Sequence, residues 1–241
     1  MDDRASFLYG IDKDFIPSQD LVVVRYMDFP SFMAMLQFKK LHFTRIDKFQ
    51  DVFEGRLPEL FFRGWPQDMK QWHEEIYSTL KKDRLKIFVS CWSALDKESY
   101  AMWQIYGRNY GIAIQTTVGK LSRSLNPHGA VIGKVQYIDF NRNTDLGYWC
   151  GNQEFITKNF LICKSKAYEY ENEVRVLISK DYDDMSLEVD IGIQDIIDKV
   201  HVSPFVDKWF ARLIRDLLHE TYGFENIKVL MSDIEVSDTK E

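Results

Sequence analysis

The chain has 241 residues, and a single domain of that length removes roughly 70–75% of its unfolded surface from water. Hydrophobic residues make up 45% and charged residues 28% of it, which excludes a disordered chain, and 12 Gly and 6 Pro exclude a collagen-like or low-complexity one. The 31 basic and 37 acidic residues give a formal net charge of −6. This balance argues against binding to duplex nucleic acid, which requires a basic surface.

The cysteines and the N-terminal residues indicate the compartment. Cys91, Cys150 and Cys163 are too widely spaced for a zinc knuckle or a CxxC pair, and so few cysteines suit a reducing environment. The first residues lack the basic and apolar regions of a signal peptide. No stretch approaches the ~20 apolar residues of a membrane span. We therefore expect a cytoplasmic protein that makes no membrane contact.

The first third of the chain predicts short alternating elements. Residues 21–27 are a β-branched run that predicts a buried strand, and Asp28 and Pro30 predict a helix that continues to residue 37. Residues 41–44 predict a second strand. Residues 47–55 predict a turn-rich segment, and residues 68–82 a helix with apolar positions four residues apart.

The middle of the chain predicts a strand at 85–92, a helix at 98–106 that Gly107 ends, a strand at 110–116 and a helix at 118–125. Residues 131–140 alternate between apolar and polar side chains, which predicts one continuous strand. Residues 152–166 predict a helix.

The last third predicts two strands, 173–179 and 187–191, that pair across an acidic turn at 181–184. A short helix at 193–198, a strand at 200–203, a long helix at 204–222 and a final strand at 228–232 follow. No repeat or linker interrupts the chain. We predict an α+β fold with a mixed, mainly antiparallel sheet that is flanked by helices. Residues 21–234 are predicted to form a single domain. An irregular segment at 1–20 precedes this domain, and an acidic tail at 235–241 follows it.

Several catalytic signatures are absent from the sequence. It contains no Walker A loop, no GxGxxG after a strand, no HExxH and no GxSxG. The five histidines are scattered along the chain. We therefore predict no metal site.

The first candidate segment for function is the strand that carries Arg25 and Tyr26. Its neighbours are apolar, so the guanidinium of Arg25 is expected at a strand end or in a cleft, with a carboxylate or a phosphate as its partner. An ordinary, partly exposed ion pair is the alternative interpretation.

The second segment contains Asp51 and Glu54, which one helical turn would place on the same side. The alternative is a rigid loop, anchored by Phe49 and Phe53, whose carboxylates cap neighbouring backbone N–H groups.

The third segment runs from Ser90 to Gly107. Polar residues such as Ser90 and Glu98 border an aromatic stripe, and they predict a pocket with Trp103 and Tyr106 as its walls. The alternative is an aromatic stripe that belongs to the core. Cys91 has apolar neighbours and predicts an inert, buried thiol.

The fourth segment runs from Lys164 to Ile178. On a strand, Glu171, Glu173 and Arg175 share one face, which Leu177 continues. Because an apolar residue extends this face, we expect Glu173 and Arg175 to form a partly buried ion pair. The two interpretations are a structural salt bridge and a carboxylate presented to a substrate.

In their order along the chain, these segments resemble the bacterial family called domain of unknown function 2971. The resemblance covers about residues 21–205 and is most specific in the motifs Met102-Trp103-x-x-Tyr106 and Glu171-x-Glu173-x-Arg175. Val52 departs from the pattern, which tends to have Pro there. Some relatives are associated with bacterial defence, so the resemblance implies such a context without a reaction.

The arrangement is also similar, more distantly, to ADP-ribosyltransferase-like folds. This similarity implies that Arg25 contacts nucleotide phosphates and that Trp103 or Tyr106 stacks on nicotinamide. It also implies that Glu171 or Glu173 is the catalytic carboxylate, which bonds a ribose hydroxyl and stabilises positive charge on the sugar. The nucleotide-binding set that we predict shares polar or aromatic character and comprises Arg25, Tyr26, Ser90, Glu98, Trp103, Tyr106 and Arg175.

Three functions are consistent with these residues. The first is an enzyme that uses NAD or a related nucleotide, with that small molecule as its partner. The second is a non-catalytic binding or regulatory module of a defence system. The third and weakest is a metal-dependent nuclease with Asp51, Glu54, Glu171 and Glu173 as its carboxylates. The sequence does not define an oligomeric state.

Overall fold

The computed structural model describes residues 11–51, 54, 70–94, 97–107, 110–139 and 159–236. Its strands are β1 (Val22–Asp28), β2 (Lys40–Arg45), β3 (Ile87–Ser93), β4 (Gly111–Thr117), β5 (Val131–Lys134), β6 (Gln136–Ile138), β7 (Cys163–Ser165), β8 (Glu173–Ser179), β9 (Ser186–Asp190), β10 (Lys199–Val202) and β11 (Lys228–Met231).

The α-helices are α1 (Phe29–Phe38), α2 (Lys70–Asp83), α3 (Tyr100–Met102), α4 (Val118–Leu125), α5 (Ile193–Ile196) and α6 (Lys208–Asp216). Short 3₁₀ helices are found at Lys13–Phe15, Ile46–Lys48, Arg84–Lys86, Asn126–His128, Phe160–Ile162 and Lys166–Glu171. Two π-helical turns, Trp103–Gly107 and Leu217–Thr221, continue α3 and α6.

The predicted fold class is confirmed. The chain combines helices with a mixed sheet whose strands pair mainly antiparallel, and β10 pairs with β11 in parallel. The predicted start of α1 is also confirmed, because the side chain of Asp28 accepts a hydrogen bond from the Ser31 N–H at 2.9 Å. In the described part of the chain, no helix has both the length and the apolar character needed to cross a bilayer.

The single strand predicted at 131–140 is wrong, because the structure has two strands there with different partners. β5 pairs antiparallel with β8, whereas β6 pairs parallel with β7. Between them, the N–H of Val135 donates to the carbonyl of Glu173 at 2.9 Å. An unbroken alternation of side chains does not reveal such a change of partner.

The helix predicted at 152–166 is wrong in the part that the structure describes, and residues 152–158 lie outside the described residues. Phe160–Ile162 is a 3₁₀ turn, and β7 follows it. Residues 160–164 are all buried, so this segment has no polar face of the kind that a surface helix needs.

Two further predictions are corrected. The strands β8 and β9 are not neighbours, because β9 lies beside β2 while β8 pairs with β3 and β5. The last long helix begins at Lys208 rather than at Pro204, because the preceding Asp207 has an extended backbone. Gly223, with φ of +70°, follows this helix near its predicted end.

The contacts divide the chain into two compact units. The described residues of unit 1 come from 11–17, 42–91 and 126–188, and those of unit 2 come from 18–41, 92–125 and 189–236. The single domain predicted for residues 21–234 remains a prediction.

Unit 1 contains β5 paired with β8, β6 paired with β7, and the pairing of β2 with β3 at Thr44 and Val89. Its core is built from apolar side chains of seven segments: Ile11, Ile46, Leu80, Ile87, Val89, Ile138, Phe160, Leu161, Ile162, Cys163 and Leu177. This core borders the polar residues that are described below.

Unit 2 contains β1 paired with β4 over seven residues, β4 paired with β10, and β10 paired with β11. A core cluster in this unit joins Tyr26, Met102, Trp103 and Ala113. The helical segment that carries Trp103 is thereby fixed against β1 and β4.

Candidate functional site

The predicted site residues are distributed over both units. Unit 1 contains Ser90, Glu171, Glu173 and Arg175, and unit 2 contains Arg25, Tyr26, Glu98, Trp103 and Tyr106. Each unit brings several of its own members together, and the two groups are described in turn.

The interior of unit 1 holds a cluster of charged side chains around Lys164. The ammonium Nζ of Lys164 lies 2.6 Å from Glu171 Oε2, 2.9 Å from Glu173 Oε2 and 3.3 Å from Glu54 Oε1. An ammonium has three N–H donors, so these three carboxylates match its capacity. We call Glu54, Lys164, Glu171, Glu173 and Arg175 the charge cluster.

Arg175 is the second cation of the charge cluster. Its guanidinium donates two hydrogen bonds to the Glu173 carboxylate, from Nε at 2.9 Å and from Nη2 at 3.2 Å. Nη2 also lies 2.6 Å from Glu54 Oε2, and Nη1 donates to the carbonyl of Leu161 at 2.7 Å. The predicted ion pair between Glu173 and Arg175 is therefore confirmed, and it is fully buried rather than partly buried.

The charge cluster is almost inaccessible to water. Its five side chains have exposed fractions of 1–6%. With all groups ionised, three carboxylates and two cations carry a net charge of −1. Burial, reinforced by Glu173 and partly offset by Arg175, raises the pKa of Glu54, so Glu54 is the carboxylate best placed to take up a neutralising proton.

Glu173, Lys164 and Arg175 stay ionised. Burial alone would raise the pKa of Glu173, but the charges of Arg175 and Lys164 outweigh it and lower that pKa to about 2. Burial likewise disfavours the cationic forms of Lys164 and Arg175, yet the nearby Glu173 carboxylate raises the pKa of both. The cluster thus pairs each ion with opposite charge, as buried ions require.

Local backbone geometry brings Glu171 and Glu173 to the same lysine. Glu171 ends the 3₁₀ helix Lys166–Glu171, and Asn172 then adopts a left-handed conformation with φ of 41° before β8 begins at Glu173. Asn tolerates this conformation better than most residues. The prediction that Glu171 lies on one strand face with Glu173 is therefore wrong, although both carboxylates do bind Lys164.

Two tyrosines precede Glu171 on the same 3₁₀ helix. The rings of Tyr168 and Tyr170 are 6.4 Å apart with an interplanar angle of 33°, and Lys164 Nζ lies 4.9 Å from the centre of the Tyr168 ring. Tyr170 is 42% exposed. An aromatic surface thus adjoins the buried carboxylates.

The sequence did not predict Lys164 as a site residue, and it offered Glu54 only as a metal ligand or loop cap. Because residues 152–166 were predicted as a helix, Lys164 was not expected beside the strand that carries Glu173. Glu54 contacts Lys164 but lies 110 residues earlier in the chain, so no local pattern links the two. The motif that places Lys164 shortly before Glu171 was the available signal. Asp51, the other carboxylate of that segment, accepts a hydrogen bond from the Ser165 N–H at 3.4 Å.

Cys91 borders the charge cluster. Burial of its thiol and the negative charge of Glu173 raise the pKa of Cys91 well above its usual range. Because the thiolate is the nucleophilic form of cysteine, Cys91 is an inert thiol at neutral pH.

Unit 2 holds a second polar network, centred on Glu98. Its carboxylate accepts hydrogen bonds from Trp103 Nε1 at 2.9 Å, from the Ser232 hydroxyl and from the Asp233 N–H at 3.3 Å. The Nδ1 atom of His201 lies 3.3 Å from Glu98 Oε1. Burial would raise the pKa of Glu98, but the nearby His201 and the hydrogen bonds from Ser232 and Trp103 lower it to about 2.

The aromatic residues of this network differ in accessibility. Trp103 is fully buried and packs edge-on against Tyr26, with ring centres 4.9 Å apart, whereas Tyr106 is 40% exposed. Gly107 approaches Trp103 so closely that a Cβ atom there would lie 2.7 Å from Cε3 of the indole. Of the two predicted stacking residues, Tyr106 is the one with an accessible ring.

Tyr26 and Arg25 lie next to each other on β1. The hydroxyl of Tyr26 accepts a hydrogen bond from the Ser99 N–H at 3.2 Å, and burial raises the pKa of this tyrosine. Arg25 is half-buried and lies opposite Ile114 in the pairing with β4.

Each carboxylate of the charge cluster forms an ion pair with Lys164 or Arg175. Within the described residues, no group of three or more His, Cys, Asp or Glu side chains has the geometry to hold a metal ion. A shallow concavity lined by Asp181, Tyr182, Asp183, Asp184 and Met185 contains none of the predicted site residues.

The chain is thus an α+β protein with a buried charge cluster on the motif Glu171-x-Glu173-x-Arg175. Residues 102–176 match the family model "Protein of unknown function (DUF2971)". This match confirms the resemblance to that family, and it includes Trp103, Lys164, Glu171, Glu173 and Arg175. No curated protein matches the chain.

Among solved structures, the chain is similar to Thermus sp. 2.9 DarT in complex with ADP-ribosylated ssDNA. The two share 10% sequence identity, the match covers 90% of this chain and 96% of that chain, and the TM-score is 0.41.

Proposed function

We propose that the chain is an ADP-ribosyltransferase-like enzyme that breaks the bond between nicotinamide and ribose in NAD, with Glu171 as its catalytic carboxylate. The position of Glu171 is the observation that supports this most. Its carboxylate lies 2.6 Å from Lys164, and it directly follows Tyr170, whose ring is 42% exposed. A charge-paired carboxylate beside an accessible aromatic ring suits a nucleotide, which offers both a sugar and a flat ring.

The chemistry explains why a carboxylate is needed. The bond from ribose C1′ to nitrogen breaks with its electron pair leaving on nicotinamide, which departs as a neutral molecule. Positive charge then develops on the sugar, and a fixed negative charge stabilises it. A hydroxyl of water or of an acceptor then bonds to C1′ and loses its proton to solvent.

The energetics of the charge cluster favour a functional role. Replacing a buried set of ions by apolar residues of similar volume is often neutral or stabilising, so such a cluster is weak support for stability alone. Shifted pKa values, raised at Glu54 and lowered at Glu173, are common at functional sites.

Each remaining residue has a proposed role. Glu173 has both carboxylate oxygens bonded to Arg175, so it positions the cluster while Glu171 acts on the sugar. The other predicted nucleotide-binding residues stay proposals, each within its own unit: Arg25, Tyr26, Ser90, Glu98, Trp103, Tyr106 and Arg175. In unit 2, Arg25 is the proposed phosphate ligand. Because Trp103 is buried, Tyr106 is the proposed ring contact there.

The test is nicotinamide release from NAD by the purified protein. Glu171→Gln should lower the rate by about 100-fold or more, as loss of one electrostatic stabiliser does. Glu188→Gln is the matched control, because Glu188 is a half-exposed carboxylate paired with His42 on the surface. The proposal fails if wild-type protein releases no nicotinamide, or if Glu171→Gln releases it at the wild-type rate.

A non-catalytic binding or regulatory module is the second candidate, and one observation favours it. Every carboxylate of the charge cluster has a cation of the protein within 3.3 Å, as in a purely structural network. This function predicts that Glu171→Gln lowers the melting temperature while nucleotide binding, measured by calorimetry, stays unchanged.

We further propose that the chain acts in bacterial defence, as the family resemblance implies, and that it is located in the cytoplasm. It predicts that expression of the wild-type chain in bacteria depletes NAD and slows growth. Cells that express Glu171→Gln should grow normally, with equal amounts of both proteins by immunoblot. Equal growth arrest with both variants would refute it.

A further inference from the structure

The outer face of α6 in unit 2 is apolar at its centre. Trp209 and Leu213 lie four residues apart, so they follow one row along the helix. The ring of Tyr110 lies 6.3 Å from that of Trp209 and extends this apolar surface. The three side chains have exposed fractions of 45–51%. A surface that exposes neighbouring Trp, Tyr and Leu side chains is typical of a site that another molecule covers.

Charged side chains line this apolar row on one side. Lys208, Arg212 and Asp216 are spaced four residues apart, so they form a second row beside Trp209 and Leu213, and all three are exposed. None of the three takes part in an ion pair among the described residues. Arg212 and Asp216 thus do not pair with each other, although they are one turn apart. Their charges are available to a partner.

The order of these charges opposes the dipole of the helix that carries them. The N-terminal end of a helix has partial positive charge, and its C-terminal end has partial negative charge. Lys208 is the first residue of α6, whereas Asp216 is its last, and the exposed Glu220 lies in the π-helical turn that continues it. Arg215 lies outside the charged row. A second α6 in antiparallel orientation would bring the acidic end of one helix beside the basic end of the other.

We propose that the outer face of α6 is a dimerisation surface, and that a second copy of the chain packs its own α6 against it in antiparallel orientation. A two-fold axis near Arg212 makes each contact occur twice. Trp209 packs on the partner's Leu213, and Asp216 pairs with the partner's Lys208 or Arg212. Contacts along one short helix bury less surface than a permanent dimer does, so this dimer forms reversibly.

Analytical ultracentrifugation of the purified chain measures this association. The wild-type chain should change from monomer to dimer between about 1 and 100 µM, the range of a weak contact. Trp209→Ala should raise the dissociation constant about tenfold or more, because exposed tryptophans are common anchors of interfaces. A wild-type chain that stays monomeric at the highest concentration would overturn the inference. Growth into assemblies larger than a dimer would also overturn it, because a two-fold contact closes on itself.

Charge reversal tests the antiparallel arrangement. Arg212→Glu brings a new carboxylate against the partner's Asp216, and Asp216→Lys brings a new ammonium against the partner's Arg212. Each variant alone should therefore be monomeric at concentrations where the wild type is dimeric. Mixed in equal amounts, the two variants should form a heterodimer, because the new carboxylate then faces the new ammonium and the retained Arg212 faces the retained Asp216. A mixture that stays monomeric would refute the antiparallel pairing.

Arg123→Glu is the matched control for Arg212→Glu. Arg123 is an exposed arginine of α4 in the same unit, and its reversal changes the net charge by the same amount. The control should dimerise like the wild type, and all variants should keep the wild-type circular dichroism spectrum, because surface substitutions of this kind change stability little. If Arg212→Glu dimerises as tightly as Arg123→Glu, another surface holds the dimer and the inference fails. None of these measurements requires NAD turnover, so their outcome is independent of the proposed function.

Discussion

Replacing Arg175 by methionine removes the guanidinium from the interior of unit 1 and leaves its acceptors behind. Arg175 is 1% exposed and binds three groups: the Glu173 carboxylate, the Glu54 carboxylate and the Leu161 carbonyl. Lys164 remains near both carboxylates, at 2.9 and 3.3 Å. The variant therefore has three buried carboxylates and one buried cation.

The loss of stability follows from these contacts. Breaking a buried ion pair by removal of one partner costs about 3–5 kcal/mol in the free energy of unfolding. For a chain of this size, 1 kcal/mol corresponds to about 2–4 °C in melting temperature, so we expect a decrease of about 6–20 °C. The loss of the bond to Leu161 places the value toward the upper end.

Thermal unfolding followed by circular dichroism measures this change. Lys86→Met is the control, because Lys86 pairs with Asp181 at the surface, where both side chains are about half or more exposed, and such a pair contributes about 0–1 kcal/mol. Arg175→Met/Glu173→Gln should be more stable than Arg175→Met. A decrease below 3 °C in Arg175→Met, similar to that of the control, would refute the view that the guanidinium neutralises buried carboxylates.

Two further predictions concern unit 2. Because the folded pKa of Glu98 is lowered to about 2, its ionised form contributes stability above its ordinary pKa, and this contribution is lost as the pH falls from about 4.5 to about 2. Glu98→Gln should therefore be less stable than wild type at pH 7 and nearly equal to it at pH 2 in urea titrations; a constant difference would contradict this. Gly107→Ala should lower the free energy of unfolding in urea by about 1–3 kcal/mol, because the new Cβ would lie 2.7 Å from the buried Trp103 ring. An unchanged unfolding midpoint would contradict this prediction.

The sequence predicted the charged part of β8 because its pattern is local. Glu173 and Arg175 are two residues apart, and Leu177 continues their face, so strand geometry alone indicates a buried ion pair. The start of α1 was predictable for the same reason, since Asp28 caps a backbone N–H three residues later.

The remainder of the charge cluster depends on features that no local pattern encodes. Glu171 leaves the strand pattern because Asn172 adopts a left-handed conformation, and this conformation depends on one residue and its surroundings. Lys164 follows a buried apolar run that fits either a helix or a strand. The pairing of β7 with β6 places Lys164 on a strand. The periodicity of a sequence does not predict such contacts between distant segments.

The buried thiol of Cys91 gives the molecule an internal infrared reporter. The negative charge of Glu173 acts on this thiol and helps to raise its pKa, and S–H stretching falls in a spectral window where few other protein groups absorb. A change in the ionisation or position of Glu173 changes the electric field at the thiol and so shifts the band. The band therefore reads out the state of the carboxylate in the unlabelled chain during substrate addition, without a probe that disturbs the packing around it.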